Sequence, residues 1–259
     1  MSRVDAPELE DLPAFPAPLR DAMTGFLRVG SEVLGVSAAA APLVREALAA
    51  GRTDRIVDLC SGGGGPVLSV LRRLEREDGT RVEATLTDLY PNTAAFTRAE
   101  AALPGRVHGR RAPTDATRVP SELAGVRTIF NAFHHLPPQV ARAVLADAAA
   151  QRQPILTFEI VERSAQGWLL VASLPAAVYG LLPFVRPVDA RALALTYGLP
   201  VVPAAVLWDG FASCLRAYSP VELEDLVGPL QRDDYRFRIE RRRIPWRPLW
   251  VTSVVGLPR

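Results

Sequence analysis

The stretch Ile56-Val57-Asp58-Leu59-Cys60-Ser61-Gly62-Gly63-Gly64-Gly65-Pro66 constrains this chain more than any other: an apolar run passes straight into four glycines and then into a helical pattern. A strand buried on both faces of a parallel sheet reads as a continuous apolar run, as Ile56, Val57 and Leu59 do. Glycines let the backbone turn tightly and approach a ligand where a Cβ would collide. Pro66 suits a first helical turn, whose N–H groups have no partner inside the helix. Asp58 interrupts the apolar run near the strand's carboxyl end, where an ionised carboxylate is costly unless hydrogen-bonded. It is expected to face a ligand, and the whole stretch predicts a strand, loop and helix that cradle a nucleotide.

The next strand narrows the class of nucleotide. Arg81 to Asp88 ends in an acid about two dozen residues beyond the glycines, where a doubly wound sheet sets a carboxylate on ribose hydroxyls. A dinucleotide fingerprint needs a third glycine at Val67 or Leu68, and a phosphate-binding P-loop needs a lysine after its last glycine. Neither is supplied: positions 67 and 68 are valine and leucine, and the chain has no lysine at all. A nicotinamide-dependent oxidoreductase is thereby disfavoured.

Strand and helix patterns then alternate at βαβ spacing. Strands are expected near 55–60, 81–87, 106–110, 126–133 and 153–160, with helices near 66–77, 91–103 and 137–151. Ligands of such a sheet sit beyond the carboxyl ends of its strands. This selects Asp58 to Gly65, Asp88 with Tyr90 and Asn92, Thr114-Asp115-Ala116, Asn131 to His135, and Glu159. Before the first strand, helices are expected over Leu19–Val36 and Ala38–Ala50, with Ser37 as N-cap and Gly51 as the stop. After it all, Ser219-Pro220-Val221-Glu222 opens a helix, Tyr235 to Glu240 alternates as a half-wet strand, and Pro248 to Leu257 reads as its antiparallel partner.

At 259 residues one elaborated α/β domain is long enough to bury a full core. Thirty arginines against 28 acids leave a net charge of +2, which gives no polyanion-binding surface, and no nucleic-acid partner is expected. There is no zinc-ligand cluster, so no metal is expected. Two cysteines, Cys60 and Cys214, make no disulfide framework, and a reducing cytoplasm is the default compartment. Met1 to Arg20 has neither a basic nor an apolar leader segment.

The last third departs from the alternation. Ser164 to Val185 is 22 residues without a charge, and Ala192 to Trp208 is another 17. The first run is long enough for a membrane span, yet Gly167, Pro175, Gly180 and Pro183 interrupt it. Three readings stay open: an apolar lid over an active site, association with a membrane surface, and a spanning hairpin.

Asp58-Leu59-Cys60-Ser61-Gly62-Gly63-Gly64 resembles the first motif of class I S-adenosylmethionine-dependent methyltransferases, and Asp88 falls where that family places its ribose acid. Pro113 to Ala116 is similar to the family's adenine-contacting segment, and Asn131-Ala132-Phe133-His134-His135-Leu136-Pro137 to the segment after strand four in its small-molecule branch. The resemblance covers 51–160 well and 219–257 loosely. Cys60-Ser61 departs from the glycine that the family usually has there.

What the resemblance implies is an α/β fold. It has a doubly wound, seven-stranded, mostly parallel sheet of order 3-2-1-4-5-7-6 with the seventh strand antiparallel, N-terminal helices, and an apolar helical insertion after strand five. The expected organisation is a helical cap over 1–50, a cofactor-binding core over 51–162, an insertion over 163–215, and a completing helix and strand pair over 216–259. The implied cofactor, S-adenosylmethionine, would be held by Asp58, Cys60, Ser61, Gly62, Gly64, Asp88, Asp115, Ala116 and Asn131. The implied reaction is methylation of an oxygen, nitrogen or carbon on a small, apolar or aromatic acceptor. A non-methylating reaction on the same fold and a membrane-surface lipid methyltransferase are the alternatives. Such a site has to align donor and acceptor, exclude water and remove a proton. Of the side chains present, only histidine titrates near neutrality unperturbed. His135 is therefore the first candidate for general base, His134 the second, and Glu159 and Tyr90 the reserves.

Overall fold

A computed structural model describes residues 2–186, 189–247 and 249–259. Pro248, expected to open the last strand, lies outside the described residues, as do Pro187 and Val188 of the insertion. The chain separates into two compact units, Met1–Leu34 with Val161–Ser219, and Gly35–Ile160 with Pro220–Arg259. These boundaries differ from the expected ones at 50, 162 and 215.

The larger unit holds the sheet. Its elements are α2 (Val36–Gly51), β1 (Arg55–Asp58), α3 (Val67–Asp78), β2 (Glu83–Leu86), α4 (Thr93–Ala102), β3 (Val107–Gly109), β4 (Val126–Phe130), α5 (Pro138–Ala150), β5 (Ile155–Phe158), α9 (Pro220–Val227), β6 (Tyr235–Arg243) and β7 (Trp250–Pro258). The strands lie in the order β3-β2-β1-β4-β5-β7-β6, as expected. The pairs β1 with β2, β1 with β4, β2 with β3 and β4 with β5 are parallel, while β7 runs antiparallel to β5 and β6. From β1 the chain winds one way to β2, and from β4 the other way to β5. Right-handed crossovers therefore put α3 and α5 on opposite faces and open a crevice where β1 and β4 adjoin.

The core is apolar where this burial demands it. Ile56, Val57, Leu86, Ile129, Leu156 and Val254 are buried. The wholly buried Arg127 of β4 sits among them and pairs with Asp147 at 2.7 Å.

The N-terminal helices break two residues earlier than expected. Gly35, at φ 78°, takes the left-handed conformation that glycine adopts without strain, and α2 begins at Val36. Ser37 is not the N-cap; its Oγ accepts from Arg73 Nε at 3.3 Å. Arg52, also left-handed, closes α2 in place of Gly51. A Cβ on Gly51 would come within 2.9 Å of Pro154, so glycine there serves close packing. Because α2 packs against β4, β5, β7 and α3, it belongs with the sheet rather than with a separate cap.

The smaller unit contains α1 (Ala17–Leu34), α6 (Ala165–Leu181), α7 (Ala190–Leu193), a π-turn over Ala194–Gly198, and α8 (Val201–Arg216). Met23, Phe26, Val178, Leu182, Val202 and Val206 form its core. At Gly210 a Cβ would fall 2.6 Å from Leu174, so glycine lets α8 press against α6. Asp209 receives the N–H groups of Leu9 and Glu10 at 2.7 and 3.1 Å, and Arg216 bonds Asp11 at 2.7 Å. Residues 2–11 are thus fastened along α8.

Candidate active site

The glycine loop begins at the end of β1 and is shaped by a hydroxyl network around Asp58. Asp58 is 3% exposed, and its two oxygens accept from Thr128 Oγ1 at 2.6 Å and Ser61 Oγ at 2.7 Å. Burial pushes its carboxyl up to about 7, against the opposing pull of those two hydrogen bonds and with a further push from Asp88. The expectation that Asp58 faces a ligand is therefore altered: its carboxylate is spent inside the fold, where it joins β1, β4 and the loop. Ser61 likewise bonds inward, to Asp58 and to the backbone of Thr87.

Three loop residues take positive φ: Cys60 at 53°, Gly62 at 52° and Gly64 at 79°. Cys60 occupies a left-handed position that disfavours any side chain. Its thiol is pushed up to about 12, by burial first and then by Asp88, Asp58 and Asp115. Gly62 and Gly65 have open space where a Cβ would stand, whereas a Cβ on Gly64 would meet Leu86 and Ala99 at 3.1 and 3.3 Å.

Asp88, half-buried beyond β2, binds the loop directly. One oxygen accepts from Gly62 N–H at 2.9 Å and the other from Tyr90 N–H at 2.9 Å, while its carbonyl accepts from Thr114 N–H at 2.8 Å. That last bond draws the segment of Asp115 and Ala116 toward Asp88. Asp115 is exposed, and the Thr117 hydroxyl and N–H hold its carboxyl below the usual range. Tyr90 is 84% exposed, and Asn92 is an N-cap for α4, accepting from Ala95 N–H at 3.0 Å.

A second cluster forms on the adjoining strands. After β4, Asn131 turns the chain at φ 48° and its Oδ1 accepts Ile160 N–H at 3.0 Å. A 3-10 turn over Phe133–His135 follows. Glu159, one residue past β5, is fixed by paired backbone bonds with Thr252 at 2.9 and 2.8 Å. Its carboxylate then grips the turn, one oxygen accepting Phe133 N–H at 2.8 Å and the other lying 2.6 Å from Nδ1 of the buried His134. A carboxylate can only accept, so in such a pair it is the Nδ1–H that donates. The rings of His134 and His135 lie 4.4 Å apart.

No family model and no curated protein matches the chain. Solved structures do. The mitomycin 7-O-methyltransferase MmcR superposes with a TM-score of 0.50 at 16% identity, covering 89% of this chain and 54% of that one. PigF with SAH gives 0.50 at 15%, covering 88% and 56%. NcsB1, an O-methyltransferase from neocarzinostatin biosynthesis in complex with S-adenosylmethionine and a naphthoic acid, gives 0.47 at 17%, covering 81% and 50%. The chain spans about half the length of these proteins.

The chain shares the fold of the methyltransferase MmcR.

Open space over Gly62 and Gly65, a half-buried acid at the end of β2 and the exposed Tyr90 beside it together suit a nucleoside with ribose hydroxyls and a flat base. Asp58, Cys60, Ser61, Gly62, Gly64, Asp88 and Asp115 gather around one loop, and Asn131, His134 and His135 around the turn after β4. Thr128 and Thr87 escaped the sequence reading. Thr128 had a signal, a threonine opposite Asp58 on a neighbouring buried strand, since a buried carboxylate calls for hydroxyl donors; Thr87 had none, because its hydroxyl donates at 2.9 Å to the Asp58 backbone carbonyl.

Proposed function

We infer that the chain is an S-adenosylmethionine-dependent methyltransferase that acts on a small aromatic or apolar acceptor in secondary metabolism, with His134 as general base. The observation that carries this reading is the Glu159 carboxylate divided between Phe133 N–H and His134 Nδ1. The names of two solved structures on the same fold support it, MmcR as a mitomycin 7-O-methyltransferase and PigF with SAH.

The cofactor, when bound, supplies a methyl group already activated on a sulfonium. The chain's own tasks are then to bind, orient and deprotonate. Asp88 accepts from the ribose hydroxyls while keeping its bonds to Gly62 and Tyr90, since each carboxylate oxygen has two lone pairs. Asp115 is an acceptor for the adenine amine. Asp58 acts one step back, holding the loop that Gly62 and Gly65 leave open.

His134 takes the acceptor's proton on Nε2, and the charge that forms on its ring is stabilised by Glu159, as in a base-and-orienter pair. Glu159 also pins Phe133, so the ring keeps one position. This choice departs from the first candidate, His135, because the Glu159 bond is made by His134. An oxygen acceptor of phenolic type gains most from such a base, since it is a poor nucleophile until deprotonated.

The test is incubation with methyl-labelled cofactor and a panel of small phenols. The reading requires a labelled product heavier by one CH₂, lost in His134→Ala. A product of unchanged mass would assign the fold a non-methylating reaction.

A further inference from the structure

The outer surface of the smaller unit breaks the rule for a helix facing water. Ala165–Phe184 is long and apolar enough to cross a membrane, yet only 22% of its apolar window is buried. A water-facing helix ordinarily carries charges on its outer stripe. Here the exposed stripe of α6 reads Ala165, Leu169, Ala172, Ala176 and Tyr179, and the chain continues to an exposed Phe184. Leu169 is 72% and Phe184 66% exposed. Beyond α7 the chain bends by 84°, which leaves Leu199 63% exposed at the corner. The outer positions of α8, Val201, Leu207, Trp208 and Phe211, extend the same surface.

The polar groups on this surface point to what covers it. Ser173 Oγ donates back to Leu170 O at 2.6 Å, Tyr197 OH to Tyr179 O at 2.5 Å, and Trp208 Nε1 to Pro7 O at 3.1 Å. All three groups are exposed, and in water none would need an internal partner. A hydrocarbon boundary supplies no hydrogen bonds, so there each polar group has to be satisfied within the protein. A protein partner would be met by outward-facing donors and acceptors instead. Tyrosine and tryptophan on the same surface suit the boundary between headgroups and acyl chains. The uncharged run ends at the exposed Arg186, followed by the exposed Asp189 and Arg191, a net positive edge at the level of headgroup phosphates.

We propose that this face, from α6 through the Leu199 corner to α8, rests on a phospholipid surface, with its aromatic side chains in the interface and Arg186 and Arg191 at the headgroups. The helices lie along the surface and do not span it.

The experiment is sedimentation of the full chain with vesicles of phosphatidylcholine containing about one third phosphatidylglycerol. The wild type should pellet with the vesicles. The triple variant Leu169→Glu, Tyr179→Glu, Phe184→Glu, which changes exposed positions only, should bind weaker by a factor of about 100. Tryptophan quenching by brominated lipid gives a second readout on a folded protein: wild type should be quenched, and Trp208→Phe should lose most of that quenching. The proposal is overturned if the wild type stays in the supernatant or if the triple variant pellets equally. A concentration-dependent dimer that the triple variant splits, with no vesicle binding, would assign the face to a second copy of the chain.

Discussion

His134 Nδ1 and Glu159 Oε2 lie 2.6 Å apart, and the second oxygen of that carboxylate holds the N–H of Phe133, the residue before the histidine. One acid thus fixes both a ring and the backbone that carries it. Such an arrangement limits the imidazole to one tautomer and one direction, which is what a base for a positioned acceptor requires. Replacing His134 by alanine should lower turnover by roughly 10²–10⁴ while leaving cofactor affinity within a few-fold. The acid limb of the pH–rate profile should vanish with it. Glu159→Gln should also lower turnover strongly, because its amide N–H₂ facing Nδ1 forces the opposite tautomer. His135→Ala should keep turnover within about tenfold; if it instead removes activity and His134→Ala does not, the base has been assigned to the wrong ring.

Asp58 makes stability depend on pH in an uncommon direction for an acid. Its carboxyl is raised to about 7 in the fold against 3.8 unperturbed, so the folded chain holds a proton that the unfolded chain releases. The contribution is complete below about pH 4 and is lost as pH rises through about 7. Ionising the buried group costs up to about 4 kcal/mol, an upper bound from the size of that displacement. Asp58→Asn, which stays neutral, should therefore gain stability relative to wild type between pH 4 and 7. Urea unfolding of the ligand-free protein at several pH values measures this, and a constant difference across that range would contradict it.

Cys60 holds a left-handed backbone that only glycine adopts at no cost. Cys60→Val should destabilise the protein by about 1–2 kcal/mol, since a β-branched residue is worst suited to φ 53°. Cys60→Gly should lie within about 1 kcal/mol of wild type, relief of strain offsetting the greater freedom of the unfolded chain. Equal stability of the two variants would mean that the loop changes its conformation to suit them.

Gly62 and Gly64 should separate binding from folding. Alanine at Gly64 meets Leu86 and Ala99 and should cost about 1–3 kcal/mol in stability. Alanine at Gly62 meets no neighbouring atom and carries only the strain of its left-handed backbone, about 1–2 kcal/mol, so its distinguishing effect should be on cofactor affinity. Paired unfolding and binding measurements on both variants decide this.

The sheet was legible because burial on both faces leaves apolar runs, and because the acid at Asp88 and the glycines fall at strand ends. A break between the two N-terminal helices was legible, but its place was not: it falls at Gly35 rather than Ser37, because the left-handed backbone there, and not the apolar spacing, separates α1 from α2. Asp58 was singled out for the right reason, the cost of a buried carboxylate, but the donors that meet that cost come from Thr128 and Ser61 rather than a ligand. The choice between His134 and His135 also lay outside the sequence. The two rings lie 4.4 Å apart on one 3-10 turn, and the partner that distinguishes them, Glu159, arrives from the next strand.

The central claim is that the loop after β1 and the acid after β2 hold S-adenosylmethionine. Titration calorimetry of the demethylated product, S-adenosylhomocysteine, into wild type and Asp88→Ala tests it most directly. Loss of a charged acceptor for two hydroxyls costs about 2–4 kcal/mol, so binding should weaken at least tenfold in the variant. No binding to the wild type, or equal affinity in the two proteins, would contradict the account.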